Sequence, residues 1–198
     1  MPSTRNLKVA ATIKMIRNKN KIAAKRRTIN FFLMPATIRE KHHRLPVHSY
    51  RGNVVVAFTI NVANHVPYFN DPDCVTVAIK ALVESFDRHR GWAAIYVFMP
   101  DHLHLMVSGT DAQTNLLRLV GDFKQKTTYR LRRAGKAFAW QKDFYDHIVR
   151  AGEDYGAQVR YLLRNPVRRG LCRHWQDWPH KGVLGQTWEQ LAIVISTL

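Results

Sequence analysis

The segment NVVVAFTINVAN (53–64) is rich in β-branched residues and predicts a strand. In DPDCVTVAIKALVESFDRHRG (71–91), Val77, Ile79, Leu82, Val83 and Phe86 recur at roughly helical spacing, which predicts a helix stopped by Gly91. WAAIYVFMP (92–100) reads as a second strand closed by Pro100, and HLHLMVSG (102–109) runs back as a third after a short connection. TDAQTNLLRLVGDFKQKTTYRLRRAGK (110–136) predicts a long helix with Leu116, Leu119, Val120 and Phe123 on one side. This β-α-β-β-α order is most of a ferredoxin-like split βαβ unit, so the expected fold class is α+β with an antiparallel sheet. The missing fourth strand is sought within KAFAWQKDFYDHIVR (136–150).

Further on, EDYGAQVRYLLRNPVRRGL (153–171) has helical periodicity. At 100° per residue, Val159, Leu162 and Leu163 form one apolar stripe, whereas Gln158, Tyr161 and Asn165 fall on the opposite side. Tyr161 and Asn165, one turn apart, are therefore neighbours. Pro166 is expected to end or kink the helix just after Asn165. TWEQLAIVIST (187–197) predicts a helix or strand covering an exposed face.

Composition narrows the class of partner. The 198 residues are enough for one well-buried domain. They carry 31 Lys plus Arg against 14 Asp plus Glu, a net charge of +17, which attracts polyanions. No apolar run is long enough for a spanning helix and no apolar leader is evident, so nucleic acid in the cytoplasm is the expected partner and place. Cys74 and Cys172 lie far apart and suggest neither a disulfide framework nor a cysteine zinc site. The charge is concentrated at the front, where residues 1–52 hold 13 Lys or Arg and a single acid, Glu40. Residues 1–42 are therefore expected to be a basic, mobile arm, followed by a domain over 43–185 and an extension over 186–198.

Two features could carry chemistry. His102 and His104 stand at i and i+2 on a strand and so share one face. They are a core pair with hydrogen-bond partners, a solvent-facing pair, or two ligands aimed at one metal ion. The second feature is the pairing of Tyr161 with Asn165, which is either an ordinary surface tyrosine beside an amide or a phenol presented to a partner. Lys126, Arg130 and Arg133 lie on one helical face, either solvated or in contact with phosphates. With Arg164 they are the candidate nucleic-acid contacts.

Four blocks, HRLPVHSYRG (43–52), MPDHLHLMV (99–107), WQKDFYDHIVR (140–150) and VRYLLRNPVRRGL (159–171), resemble REP-associated tyrosine transposases of the HUH superfamily of single-strand DNA endonucleases. The likeness runs in order over roughly residues 43–180. It implies an RRM-like sheet with helices on one face and an additional C-terminal helix carrying the tyrosine. It further implies that Tyr161 is the nucleophile and that His102, His104 and Asn165 bind a divalent metal, for which Mg²⁺ or Mn²⁺ suits an oxygen and imidazole shell. The implied substrate is single-stranded DNA with hairpin elements, cut through a 5′-phosphotyrosine. A monomer is expected, with a homodimer as the alternative. Tyr129, also helical and in a basic setting, is the competing nucleophile, and a non-catalytic RRM-like domain that grips single strands is the competing function.

Overall fold

The computed structural model describes residues 45–196; the basic segment 1–42 lies outside them. The described residues form an antiparallel sheet of five strands in the order β4-β1-β3-β2-β5. The strands are β1 (Val55–Asn61), β2 (Gly91–Met99), β3 (His102–Gly109), β4 (Tyr145–Val149) and β5 (Lys181–Leu184). Helices α1 (Pro72–His89) and α2 (Leu116–Arg133) make the two ferredoxin-like crossovers. Three more follow: α3 (Tyr155–Leu163), the single turn α4 (Asn165–Arg168) and α5 (Trp188–Ser196). The expected α+β class is what the chain adopts, and the fourth strand is Tyr145–Val149, paired with the outer edge of β1.

Alternation along the strands sorts the side chains into two cores. Val56, Phe58 and Ile60 of β1 and Leu103, Leu105 and Val107 of β3 face α1 and α2, where Leu82, Phe86, Leu119 and Phe123 close over them. The other face carries Met106, Val97 and Met99, and α3 buries Tyr155, Val159, Leu162 and Leu163 against it together with Leu191 of α5. Both faces of the sheet are therefore covered, and the tyrosine helix shares its face with α5. A bulge in β2 between Ala93 and Ile95 turns Ala94 and Ile95 toward this same second core.

Three boundaries differ from the periodicity reading. Helix α1 ends at Arg90, which takes the left-handed conformation at φ 55° and bonds its N–H to the Phe86 carbonyl; Gly91 is instead the first residue of β2. There an added Cβ would meet the tip of the Leu119 side chain, which would have to shift to admit it. Helix α2 begins only at Leu116, because Asn115 caps it by accepting from the Arg118 N–H at 3.1 Å. The 153–171 helix breaks at Arg164, one residue earlier than expected, and restarts at Asn165 with Pro166 in its first turn.

Candidate active site

The hairpin joining β2 to β3 turns through Pro100 and Asp101, and the register pairs His102 with Met99 on one side and Asn61 on the other. His102 and His104 consequently point to the α3 face, where both are buried, at 4% and 9% exposure. Their Nε2 atoms approach to 3.1 Å. At the far end of each ring Nδ1 has its own partner: Asp101 Oδ1 at 2.7 Å for His102, and Thr59 Oγ1 at 3.0 Å for His104. Thr59 lies directly across from His104 in the β1–β3 register.

Burial, the largest influence, pushes both imidazoles toward the neutral form. It lowers His102 in spite of the hydrogen bond to Asp101, and it holds His104 well below the ordinary value of 6.5, helped by the charges of His102 and Arg169. Burial raises Asp101, but hydrogen bonds from His102 and His65 and the charge of Arg169 outweigh it and keep the carboxyl ionised. Two neutral nitrogens 3.1 Å apart match adjacent donors on a six-coordinate ion, since bonds of about 2.1 Å at right angles separate the donors by about 3 Å. Among the described residues no cluster of three or more His, Cys, Asp or Glu is placed to hold a metal.

Asn165 follows Tyr161 by about one helical turn. It is 8% exposed, and its Nδ2 donates to the carbonyls of Tyr161 at 3.0 Å and Leu162 at 3.4 Å. Those two acceptors fix the amide orientation and leave Oδ1 as the atom available to a cation or a donor. The periodicity reading placed Asn165 on the face opposite the apolar stripe. The amide is nevertheless buried, while Tyr161, on α3 proper, is 43% exposed. The stripe of Val159, Leu162 and Leu163 is buried as expected.

The turn after Tyr161 ties the two halves together. Arg168 lies over the Tyr161 ring, 4.7 Å from its centroid. Arg169, just past α4, reaches Asp101 Oδ1 at 3.6 Å. Tyr161, Asn165, His102 and His104 therefore belong to one side of the sheet, with Arg168 and Arg169 reaching toward the phenol and toward Asp101. Asp101, Thr59, Arg168 and Arg169 join them without having been singled out from the sequence. Asp101 and the two arginines lie inside the motifs already quoted, and only Thr59 has no local signal.

The structure does not bring Lys126, Arg130 and Arg133 to this place. They lie on α2, across the sheet from the histidines. Lys126 pairs with Asp122 at 2.8 Å and Arg130 with Glu84 at 2.6 Å, while Arg133 sits on Tyr129 at 3.2 Å from its hydroxyl. Tyr129 itself is thereby placed on the far side. Arg164 is exposed at the junction of α3 and α4, on the histidine side.

No family model matches the chain. A REP-associated tyrosine transposase of Escherichia coli is 27% identical over 84 residues, covering 42% of this chain and 49% of that protein. A Haemophilus influenzae relative under the same family name is 26% identical over 93 residues, covering 41% of this chain and 53% of that protein. The chain thus matches about half the length of these relatives. A solved structure described as the REP-associated tyrosine transposase bound to a REP hairpin overlays with a TM-score of 0.59 at 22% identity, covering 67% of this chain and 78% of that one, and shows the shared fold. No helix among the described residues is long and apolar enough to cross a membrane.

Proposed function

We propose that this chain, a relative of the REP-associated tyrosine transposases, is an HUH-type nuclease. It cuts and rejoins single-stranded DNA beside hairpins through a covalent bond to Tyr161. The observation that carries the reading is the pair of imidazole nitrogens 3.1 Å apart on the sheet face against which the tyrosine helix packs. A hairpin ligand is drawn from the structural relative, whose description names one.

His102, His104 and the Asn165 amide oxygen would hold a divalent cation, Mg²⁺ or Mn²⁺. When bound, such an ion neutralises charge on the scissile phosphate and favours its attack by an oxygen nucleophile. The chain's own residues do the rest. Tyr161 presents a half-exposed side chain from a helix whose inner face is locked by Val159, Leu162 and Leu163, so the backbone beneath the phenol is fixed. Arg168 over its ring holds a positive charge beside the place where phenolate and phosphate meet. Attack by the phenol oxygen forms the Tyr161–phosphorus bond and breaks the bond to the 3′ oxygen; the phenol proton leaves to solvent and the 3′ oxygen takes one up. The phosphoester is conserved, so the reverse reaction rejoins strands without a nucleotide cofactor.

Incubation with labelled single-stranded hairpin DNA and Mn²⁺ tests this directly. A protein-linked label on a denaturing gel, lost in Tyr161→Phe, is the expected result. DNA binding with no adduct under any divalent metal would favour the non-catalytic single-strand binder.

A further inference from the structure

A groove of about 980 Å³ runs along α2, across the sheet from the histidines. Its lining holds six Lys or Arg against a single carboxylate, Asp122, so it favours an anion. That carboxylate is already shared by Lys126 at 2.8 Å and Arg88 at 3.4 Å. Arg132, Arg133 and Lys142 are exposed and, among the described residues, meet no carboxylate. Arg132 donates from Nε to the Phe138 carbonyl at 2.9 Å, which holds the guanidinium in place without neutralising it. Tyr129 stands among these cations, 59% exposed, with Arg133 over its ring at 5.8 Å from the centroid and 3.2 Å from its hydroxyl. Trp140 forms part of the lining, and its buried indole N–H has no acceptor among the described residues.

At one end the groove meets the catalytic face. Gln141 lines it, and the same side chain accepts from Asn61 Nδ2 at 3.3 Å and approaches His65 at 3.3 Å. Asn61 stands opposite His102 in the β1–β3 register. Lys124 fixes the backbone at this edge by donating to the carbonyls of Gln141 at 2.7 Å and Lys142 at 2.9 Å. We propose that the groove is a second site for unpaired nucleic acid. In it Tyr129 stacks a base, while Arg132, Arg133 and Lys142 hold the flanking phosphates. An exposed ring among cations that meet no acid suits a single strand, because the bases of a duplex are stacked on one another and offer no face to it. The strand cut at Tyr161 is then gripped on both faces of the sheet, passing from one to the other at the edge formed by Gln141 and Lys142. No bond forms or breaks in the groove, where Tyr129 binds and does not attack. The inference rests on the single-strand part of the reading above and not on its metal or its covalent step.

The experiment is photocrosslinking of the full chain in chelator to an iodouracil-substituted oligothymidylate, with the linked residue mapped by mass spectrometry, together with fluorescence anisotropy over a salt series. A crosslink on Tyr129 is the expected result. Tyr129→Ala should weaken binding about fivefold or more, the range of losing one stacked base, whereas Tyr129→Phe should keep it. Replacing Arg133 and Lys142 together by Ala should reduce the slope of log K against log salt by about 1.4, or about 0.7 for each phosphate contact. Crosslinks confined to the segment 159–175, wild-type affinity in Tyr129→Ala, or a duplex that binds as tightly and loses as much in Tyr129→Ala, would each overturn the site. Reaction of the same variants with hairpin single strands and Mn²⁺ separates the two readings. If Tyr161 takes up DNA while Tyr129 neither crosslinks nor affects binding, the nuclease stands and the groove site falls. If Tyr129 crosslinks and no Tyr161 adduct forms, the groove site stands and the nuclease falls.

Discussion

Arg169 reaches across from the turn that follows the tyrosine helix to Asp101, its guanidinium 3.6 Å from the same carboxylate oxygen that accepts from His102. Its neighbour Arg168 covers the Tyr161 ring. Two consecutive arginines therefore touch the two halves of the site, one on the imidazole side and one on the phenol side. Removing Arg169 should loosen this registration without unfolding the chain. Because the guanidinium side is largely exposed, the pair contributes at most about 1 kcal/mol. Arg169→Ala is expected to slow strand cleavage about fivefold or less, with an unchanged circular dichroism melt.

The tyrosine helix is held by its buried stripe, so a cavity beneath it should act on both stability and chemistry. Leu163 is almost fully buried against the second core. Leu163→Ala is expected to cost about 2–5 kcal/mol in a urea titration. Cleavage below the transition should fall as well, because Tyr161 and Asn165 flank the disturbed turn.

Much of this arrangement was legible in the sequence because it depends on short periods. Period two put His102 and His104 on one face, and the 3.6 period separated Tyr161 from Val159, Leu162 and Leu163. What escaped depends on contacts between distant segments. Thr59 meets His104 only through the β1–β3 register, 45 residues apart, and nothing local in FTIN announces it. The acid that pairs with Arg130, Glu84, lies 46 residues away, whereas Asp122, the partner of Lys126, stands one turn back on the same helix and was open to view in the sequence. Asn165 is buried although periodicity set it away from the apolar stripe, because what packs over a side chain at the start of a new turn depends on distant segments and not on the helical period.

Those ion pairs change the expected electrostatics of DNA binding. Arg164, exposed at the end of the tyrosine helix, is placed to meet a strand lying over Tyr161, and Arg164→Ala should reduce the slope of log K against log salt by about 0.7. Lys126→Ala and Arg130→Ala should leave that slope nearly unchanged, since their charges are already matched by Asp122 and Glu84. Fluorescence anisotropy with a labelled hairpin over a salt series distinguishes the two.

Buried neutral histidines give the metal-free protein a defined acid sensitivity. Both His102 and His104 have values lowered from 6.5, so below that pH the unfolded chain takes up protons that the folded chain refuses. Their contribution is complete above about pH 6.5 and is lost as the pH falls toward the folded values. The slope is at most about 1.4 kcal/mol per pH unit for each group. In chelator the melting temperature should drop between pH 7 and pH 5, and His104→Asn should flatten that drop.

The most direct test of the central claim is to map the DNA-linked residue by mass spectrometry after reaction of the chain with hairpin single strands and Mn²⁺. A phosphodeoxynucleotide on Tyr161, absent when the metal is chelated or when His102 is replaced by Ala, is the expected result. A label carried by Tyr129, or an adduct whose yield is indifferent to both the metal and His102, would contradict it.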